Sequence, residues 1–244
     1  RSEDEDRFAV PSTRPYSDKN WDEQSKKYAT MVHMLDRDVG RIVDLVDRLG
    51  LKESTLIVFT SDNGGHSTIW EGFDTNGPLR GYKRDLTEGG IRVPFIARWP
   101  GKVPTGETSD EVVAFQDMLP TFAELANENI PIYVDGISVV DAFLGHKLRE
   151  THPYLYWDYG HCRDQYDQAV RMGKWKGIRH GKNAEIQLYN LNKDIGESNN
   201  VARKYPELVG KIDSIMKVAF ESSKRYPVGK KYKGGPIWKK DENH

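Results

Sequence analysis

The stretch TLIVFTSDNGGH, residues 55–66, decides how the rest of the chain reads. Its first part, Leu56-Ile57-Val58-Phe59, is a short apolar run rich in β-branched side chains. That is the pattern of a strand buried on both faces of a parallel sheet. It stops at Ser61-Asp62-Asn63-Gly64-Gly65, small residues that favour a turn. Ahead of it, apolar residues from Tyr28 to Leu49 recur at spacings of three and four, including Met31, Leu35, Ile42 and Val46. They predict a long amphipathic helix over 21–49, with Gly50 where a C-cap belongs. Helix, loop, strand and polar turn make one α/β unit. Ligands of such sheets bind beyond the carboxyl ends of strands, so Asp62 and Asn63 stand where chemistry is expected.

Downstream, residues 76–90 are glycine-rich, and Val93-Pro94-Phe95-Ile96-Ala97 reads as a second strand whose proline suits an edge. Residues 112–127 predict a helix kinked at Pro120. Residues 151–161 are aromatic, with Tyr154, Tyr156, Trp157 and Tyr159. Short alternating runs at 169–172, 175–179 and 187–191 predict a small antiparallel sheet, with Gly173-Lys174 as a tight turn. A last helix is expected over 206–220. The expected organisation is an α/β portion over 1–150 and a small C-terminal subdomain over 151–244, with an antiparallel sheet and a terminal helix.

The 36 basic and 37 acidic residues leave a formal charge of −1, so no global field draws the chain toward nucleic acid or an anionic membrane. The single cysteine, Cys162, excludes an internal disulfide. It is a poor nucleophile candidate, because its only nearby activator, His161, is its direct neighbour and would point to the opposite face of a strand. No apolar run approaches the roughly 20 residues that span a bilayer. The chain opens RSEDEDRF, without an initiator Met, and Arg1 is read as an internal residue of a longer protein.

Three places can carry chemistry. Asp62 and Asn63 offer a carboxylate and an amide oxygen, which suit a hard divalent cation, although the same tripeptide with Gly64 also makes an ordinary turn. Lys83 lies in GYKRDLTEGG (81–90), where glycines let backbone approach a ligand and an ammonium can face an oxyanion; a solvated loop lysine is the plainer reading. His66 can hydrogen-bond an anion or protonate a leaving group, or serve structure alone. Trp70, Glu71, Phe73 and Asp74 are expected at the substrate mouth, and His161 is a further candidate substrate contact.

In combination these segments resemble the formylglycine-dependent sulfatases of the alkaline-phosphatase superfamily. The resemblance rests on YATMVHMLDRDVGRIVDLVDRLGL (28–51), TLIVFTSDNGGH (55–66), GPLRGYKRDLTEGGIRVPFIARWPGKV (77–103), DMLPTFAELA (117–126) and DGIS (135–138). It continues through LYWDYG (155–160), QAVRMGKWKGIR (168–179) and LYNLNKDIGESNNVA (188–202). It implies a partial alkaline-phosphatase-like sheet flanked by helices. It also implies that Asp62 and Asn63 are metal ligands for calcium, or sometimes magnesium, and that Lys83 contacts sulfate and nucleophile. Glu88 and Arg92 are expected to pair and structure the loop.

The family's nucleophile is a cysteine in C-x-P-S-R or C-x-A-x-R, oxidised to formylglycine, and neither pattern occurs in this chain. The resemblance therefore places the nucleophile in a missing N-terminal part, and the chain alone is expected to be inactive. It implies sulfated sugar or aryl sulfate substrates, a periplasmic or extracellular location, and association with the missing N-terminal half or with itself. Two other readings stand beside it: a phosphodiester or phosphonate hydrolase of the superfamily, and a non-catalytic carbohydrate-binding module using Tyr154–Tyr159.

Overall fold

The computed structural model describes residues 8–66, 73–130, 133–159, 166–181 and 183–220. In chain order the elements are α1 (Glu23–Arg48), β1 (Ile57–Thr60), α2 (Glu88–Ile91), β2 (Phe95–Arg98), α3 (Met118–Leu125), α4 (Val140–Phe143), β3 (Leu155–Tyr159), β4 (Asp167–Met172), β5 (Trp175–His180), β6 (Gln187–Asn190) and α5 (Pro206–Val218). They fall into two compact units. The first holds α1, β1, β2, α3 and α4; the second holds residues 63–65 and 76–93 together with β3–β6 and α5.

In the first unit α1 starts at Asp22, whose carboxylate accepts from Ser25 N–H at 2.9 Å and from the Ser25 hydroxyl at 2.6 Å. That capping satisfies donors the first turn cannot pair internally. The helix ends as expected at Gly50, with φ +70°, where Leu51 N–H reaches back to Val46 carbonyl at 3.1 Å. Its apolar stripe stays wet: Leu35 is 51%, Ile42 57% and Leu49 61% exposed.

The apolar run at 56–59 departs from expectation. Its strand, β1, pairs antiparallel with β2, with Ile57 opposite Arg98 and Thr60 opposite Phe95, and its residues are only half-buried. A run of branched residues cannot distinguish parallel from antiparallel partners. The helix expected over 112–127 is shorter. A 3₁₀ turn, Phe115–Asp117, precedes α3, and Pro120 falls in the first turn of α3, where its missing N–H costs no intrahelical bond. Asp117 explains two of the quoted motifs. Its buried carboxylate accepts from Ala114 N–H at 2.7 Å and Ile137 N–H at 3.0 Å, stitching DMLP to DGIS.

The second unit is a four-stranded antiparallel meander, β3-β4-β5-β6. Side chains alternate across it as the period of two requires. On one face Val170 and Leu188 join Ile186 and, from α5, Ile212 and Met216 in a closed core. On the other face Ala169, Ile178 and Tyr189 pack against Leu86 and Ile91 of the glycine-rich segment. The aromatic segment became β3, whose rings are shared between the two faces. Tyr156 packs on the α5 side, while Trp157 and Tyr159 pack on the other. Tyr156, Trp157 and Tyr159 are half-buried against these clusters, while Tyr154 is exposed.

Candidate functional site

The glycine-rich segment forms a tight loop. Gly89 N–H donates to Arg80 carbonyl at 2.7 Å, Gly90 N–H to Thr87 carbonyl at 2.9 Å, and Tyr82 N–H to the Asp85 carboxylate at 2.9 Å. Gly81 sits at φ +84°, and a Cβ there would stand 2.0 Å from Thr87 Oγ1, so only glycine closes the turn. Arg84, directly after Lys83, holds φ +82°, a conformation that costs about 1–3 kcal/mol for a non-glycine residue. Such strain gathers at functional loops. The Lys83 side chain is exposed above it.

Three hydrogen bonds clip the end of the DNG turn to this loop. Lys83 N–H donates to Gly65 carbonyl at 2.8 Å, Gly64 N–H to Gly90 carbonyl at 3.0 Å, and Gly65 N–H to Asn76 Oδ1 at 3.0 Å. A Cβ on Gly64 would lie 1.7 Å from Gly89 carbonyl oxygen, which explains the glycine. Asn63, half-buried, and Lys83 are thus brought onto one framework, although their motifs lie 20 residues apart in sequence. Asp62, exposed, directly precedes Asn63 and belongs to the first unit, as does His66. The His66 ring meets Phe8 edge to face at 6.1 Å.

Phe73 stands edge to face with Trp21 at 4.8 Å, so that ring is engaged within the first unit. Trp70, Glu71 and His161 lie outside the described residues, as does Cys162. Among the described residues no group of three or more His, Cys, Asp or Glu gathers to hold a metal. Asp62 and Asn63 supply oxygen donors of the type calcium prefers, but they are two against the six to eight that calcium takes. They can serve as part of a donor set, not as the whole of it.

Beneath the loop lies a buried ionic cluster. Lys176 Nζ on β5 is 2.8 Å from Glu88 Oε1 and 3.0 Å from Glu197 Oε1. Glu88 N–H donates to Glu197 Oε2 at 2.7 Å. All three side chains are at most 2% exposed. Arg92, the partner expected for Glu88, stands at 3.6 Å and is half exposed; Lys176 is the near partner. Arg171, opposite Lys176 on β4, has its guanidinium pushed below the usual range by burial, with Glu88 opposing the shift. Glu197 itself holds φ +52°. Sequence reading missed Lys176 and Glu197. The available signal was a lysine two residues before Ile178, on the same inward face of a strand.

The sulfatase family model matches residues 3–128, and a second model, for the C-terminal region of N-sulphoglucosamine sulphohydrolase, matches residues 81–223. Human steryl-sulfatase is 36% identical over 172 residues, covering 67% of this chain and 28% of its own length. A sulfatase of Formosa agariphila is 30% identical over 201 residues, covering 73% of this chain and 36% of its own. The solved structure of Ps i-CgsB in complex with k-i-k-neocarrahexaose superposes with a TM-score of 0.71 at 32% identity. That superposition covers 80% of this chain and 43% of the other. The chain therefore spans less than half the length of these relatives.

Proposed function

We propose, from the premise that the chain belongs to the sulfatase family and shares in part its alkaline-phosphatase-like fold, that it supplies the lysine arm and two metal ligands of a sulfate-ester hydrolase. The observation that carries this reading is the clip between Gly64-Gly65 and the loop of Lys83, which makes the two motifs one framework.

On this reading the Lys83 ammonium lies against the sulfate oxygens and offsets the charge that builds on them as the ester bond breaks. Positioning is done by the backbone: Gly81, Gly89 and Gly90 permit the tight loop, and Asn76 ties it through Gly65 and Gly81. His66 is assigned the hydrogen bond to the leaving oxygen. Asp62 and Asn63 contribute two oxygens to a divalent cation, calcium or magnesium, which when bound supplies Lewis acidity toward a sulfate oxygen. Formylglycine, the nucleophile of the family, is assigned to polypeptide outside these residues, so the chain alone releases no sulfate.

Sulfated carbohydrate is the preferred substrate class. Ps i-CgsB was crystallised with a neocarrahexaose, and Trp70 and His161 remain candidates for sugar contacts. A polysaccharide substrate places the enzyme in the periplasm or outside the cell. Among the described residues no helix is long and apolar enough to cross a membrane. The wet stripe of α1 supports association with further polypeptide, either the segment bearing the nucleophile or a second copy.

The test is release of sulfate from 4-nitrophenyl sulfate and from sulfated sugars with calcium present, by the chain alone and with the nucleophile-bearing segment. Release is expected only with both, and Lys83→Ala should lower it by about 10²–10³. Turnover by the chain alone would sink the nucleophile assignment. Preferential cleavage of a phosphonate or phosphodiester would replace sulfate as the substrate.

A further inference from the structure

Lys83 and Glu88 ride on one loop, and Glu88 is its buried ionic foot. We propose that Lys176 is a positioning residue for Lys83: through Glu88 and Glu197, its buried ammonium fixes the loop on the four-stranded sheet and sets where the Lys83 side chain stands. What Lys83 does there rests on the sulfate-ester reading; the geometry of the fastening does not.

The connection is short at every step. Lys176 Nζ holds Glu88 Oε1 at 2.8 Å, and the next residue, Gly89, donates to Arg80 carbonyl at 2.7 Å. Gly90 then receives Gly64 N–H at 3.0 Å, and Gly65 receives Lys83 N–H at 2.8 Å. A shift of Glu88 therefore moves both edges of the loop. Leu86 gives the loop an apolar anchor against Ala169, Ile178 and Tyr189, which is adhesive but weakly directional. The ammonium between two carboxylates is directional. Burying it costs desolvation that an apolar residue of similar volume would avoid, and fixing register is the best-attested use of such a buried pair.

Lys176→Met keeps the volume but leaves Glu88 and Glu197 facing each other without the buried ammonium, with Arg92 3.6 Å from Glu88 and the Arg171 charge acting on Glu88 from β4. The experiment is amide hydrogen exchange by NMR on the 244-residue chain. In Lys176→Met the amides of Lys83, Gly64 and Gly89 should exchange about tenfold faster or more, while β4 and β5 amides keep their protection. Adding Glu88→Gln and Glu197→Gln to that variant should restore most of the protection, because the repulsion is gone; a residue that merely fills space gives no such rescue. Glu197→Gln alone should loosen the same three amides to a lesser degree. Unchanged exchange at these amides, or equal loss throughout β4 and β5, overturns the proposal. The outcome is separable from the sulfate-ester reading, whose failure appears in turnover by Lys83→Ala and not in the exchange of Gly64 and Gly89.

Discussion

Gly177 on β5 lies directly under Ile212 of α5: a Cβ added there would stand 2.7 Å from Ile212 Cγ2 and 3.2 Å from Ile186 Cγ2. Gly177 also sits opposite Val170 and Leu188, in the row that forms the floor of this core. The glycine lets the helix settle onto the sheet. Gly177→Ala should cost about 1–3 kcal/mol by overpacking, and Ile212→Ala about 2–5 kcal/mol by leaving a void. The double variant should be less destabilised than the sum, because each change relieves the other. Urea midpoints of the three variants decide it, and strict additivity would mean the two residues do not press on each other.

The loop glycines give a sharper contrast. Gly64→Ala would place Cβ 1.7 Å from a backbone oxygen, which cannot rotate away. It should break the Gly64–Gly90 hydrogen bond, accelerate exchange of the Lys83 amide and, on the proposed sulfate-ester reading, abolish sulfate release when the nucleophile-bearing segment is present. A folded variant with native exchange at Lys83 would show that the loop admits the extra carbon without losing the clip.

Gly40 is the opposite case. It lies in the middle of α1 and a Cβ there meets nothing within 4 Å. Gly40→Ala should stabilise the chain by about 0.5–1 kcal/mol, chiefly by restricting the unfolded state. A thermal melt checks this, and a lowered midpoint would mean that some packing partner uses the bare glycine.

One contribution to acid sensitivity should come from α5. Asp213 is held below the ordinary carboxylate range, first by its hydrogen bond from Lys217 and then by Arg179 at 2.8 Å. A lowered folded value means the stabilisation is complete above the unfolded carboxylate value of about 4 and is lost as pH falls through the depressed one. Asp213→Asn should therefore be less stable at neutral pH but lose less between about pH 5 and about pH 2. Parallel urea midpoints for the two proteins across that range would contradict the assignment.

Long, strongly periodic elements were legible from the residues. The apolar spacing of α1 repeats over 26 helical residues, and the Gly173-Lys174 turn ties β4 to β5. Asn63 and Lys83 were picked out as candidates by short glycine-marked motifs, and the structure joins those motifs through Gly64 and Gly65. What escaped was pairing at a distance. Nothing local in Leu56–Phe59 says that β2 approaches antiparallel, and nothing local in the aromatic run says which rings turn inward. Lys176 and Glu197 escaped for the same reason: their partner Glu88 is 88 and 109 residues away, and charged residues read individually as solvated.

The buried cluster also constrains how such a chain can change over generations. A neutral replacement at Lys176 alone strands two carboxylates in the interior, and one at Glu88 or Glu197 alone removes a hydrogen-bonding partner that water cannot reach. Single steps are penalised, whereas concerted replacement by apolar residues can be tolerated. Three positions scattered across half the chain should therefore be inherited as one character, and drift in the C-terminal sheet is held in check by a loop encoded far upstream.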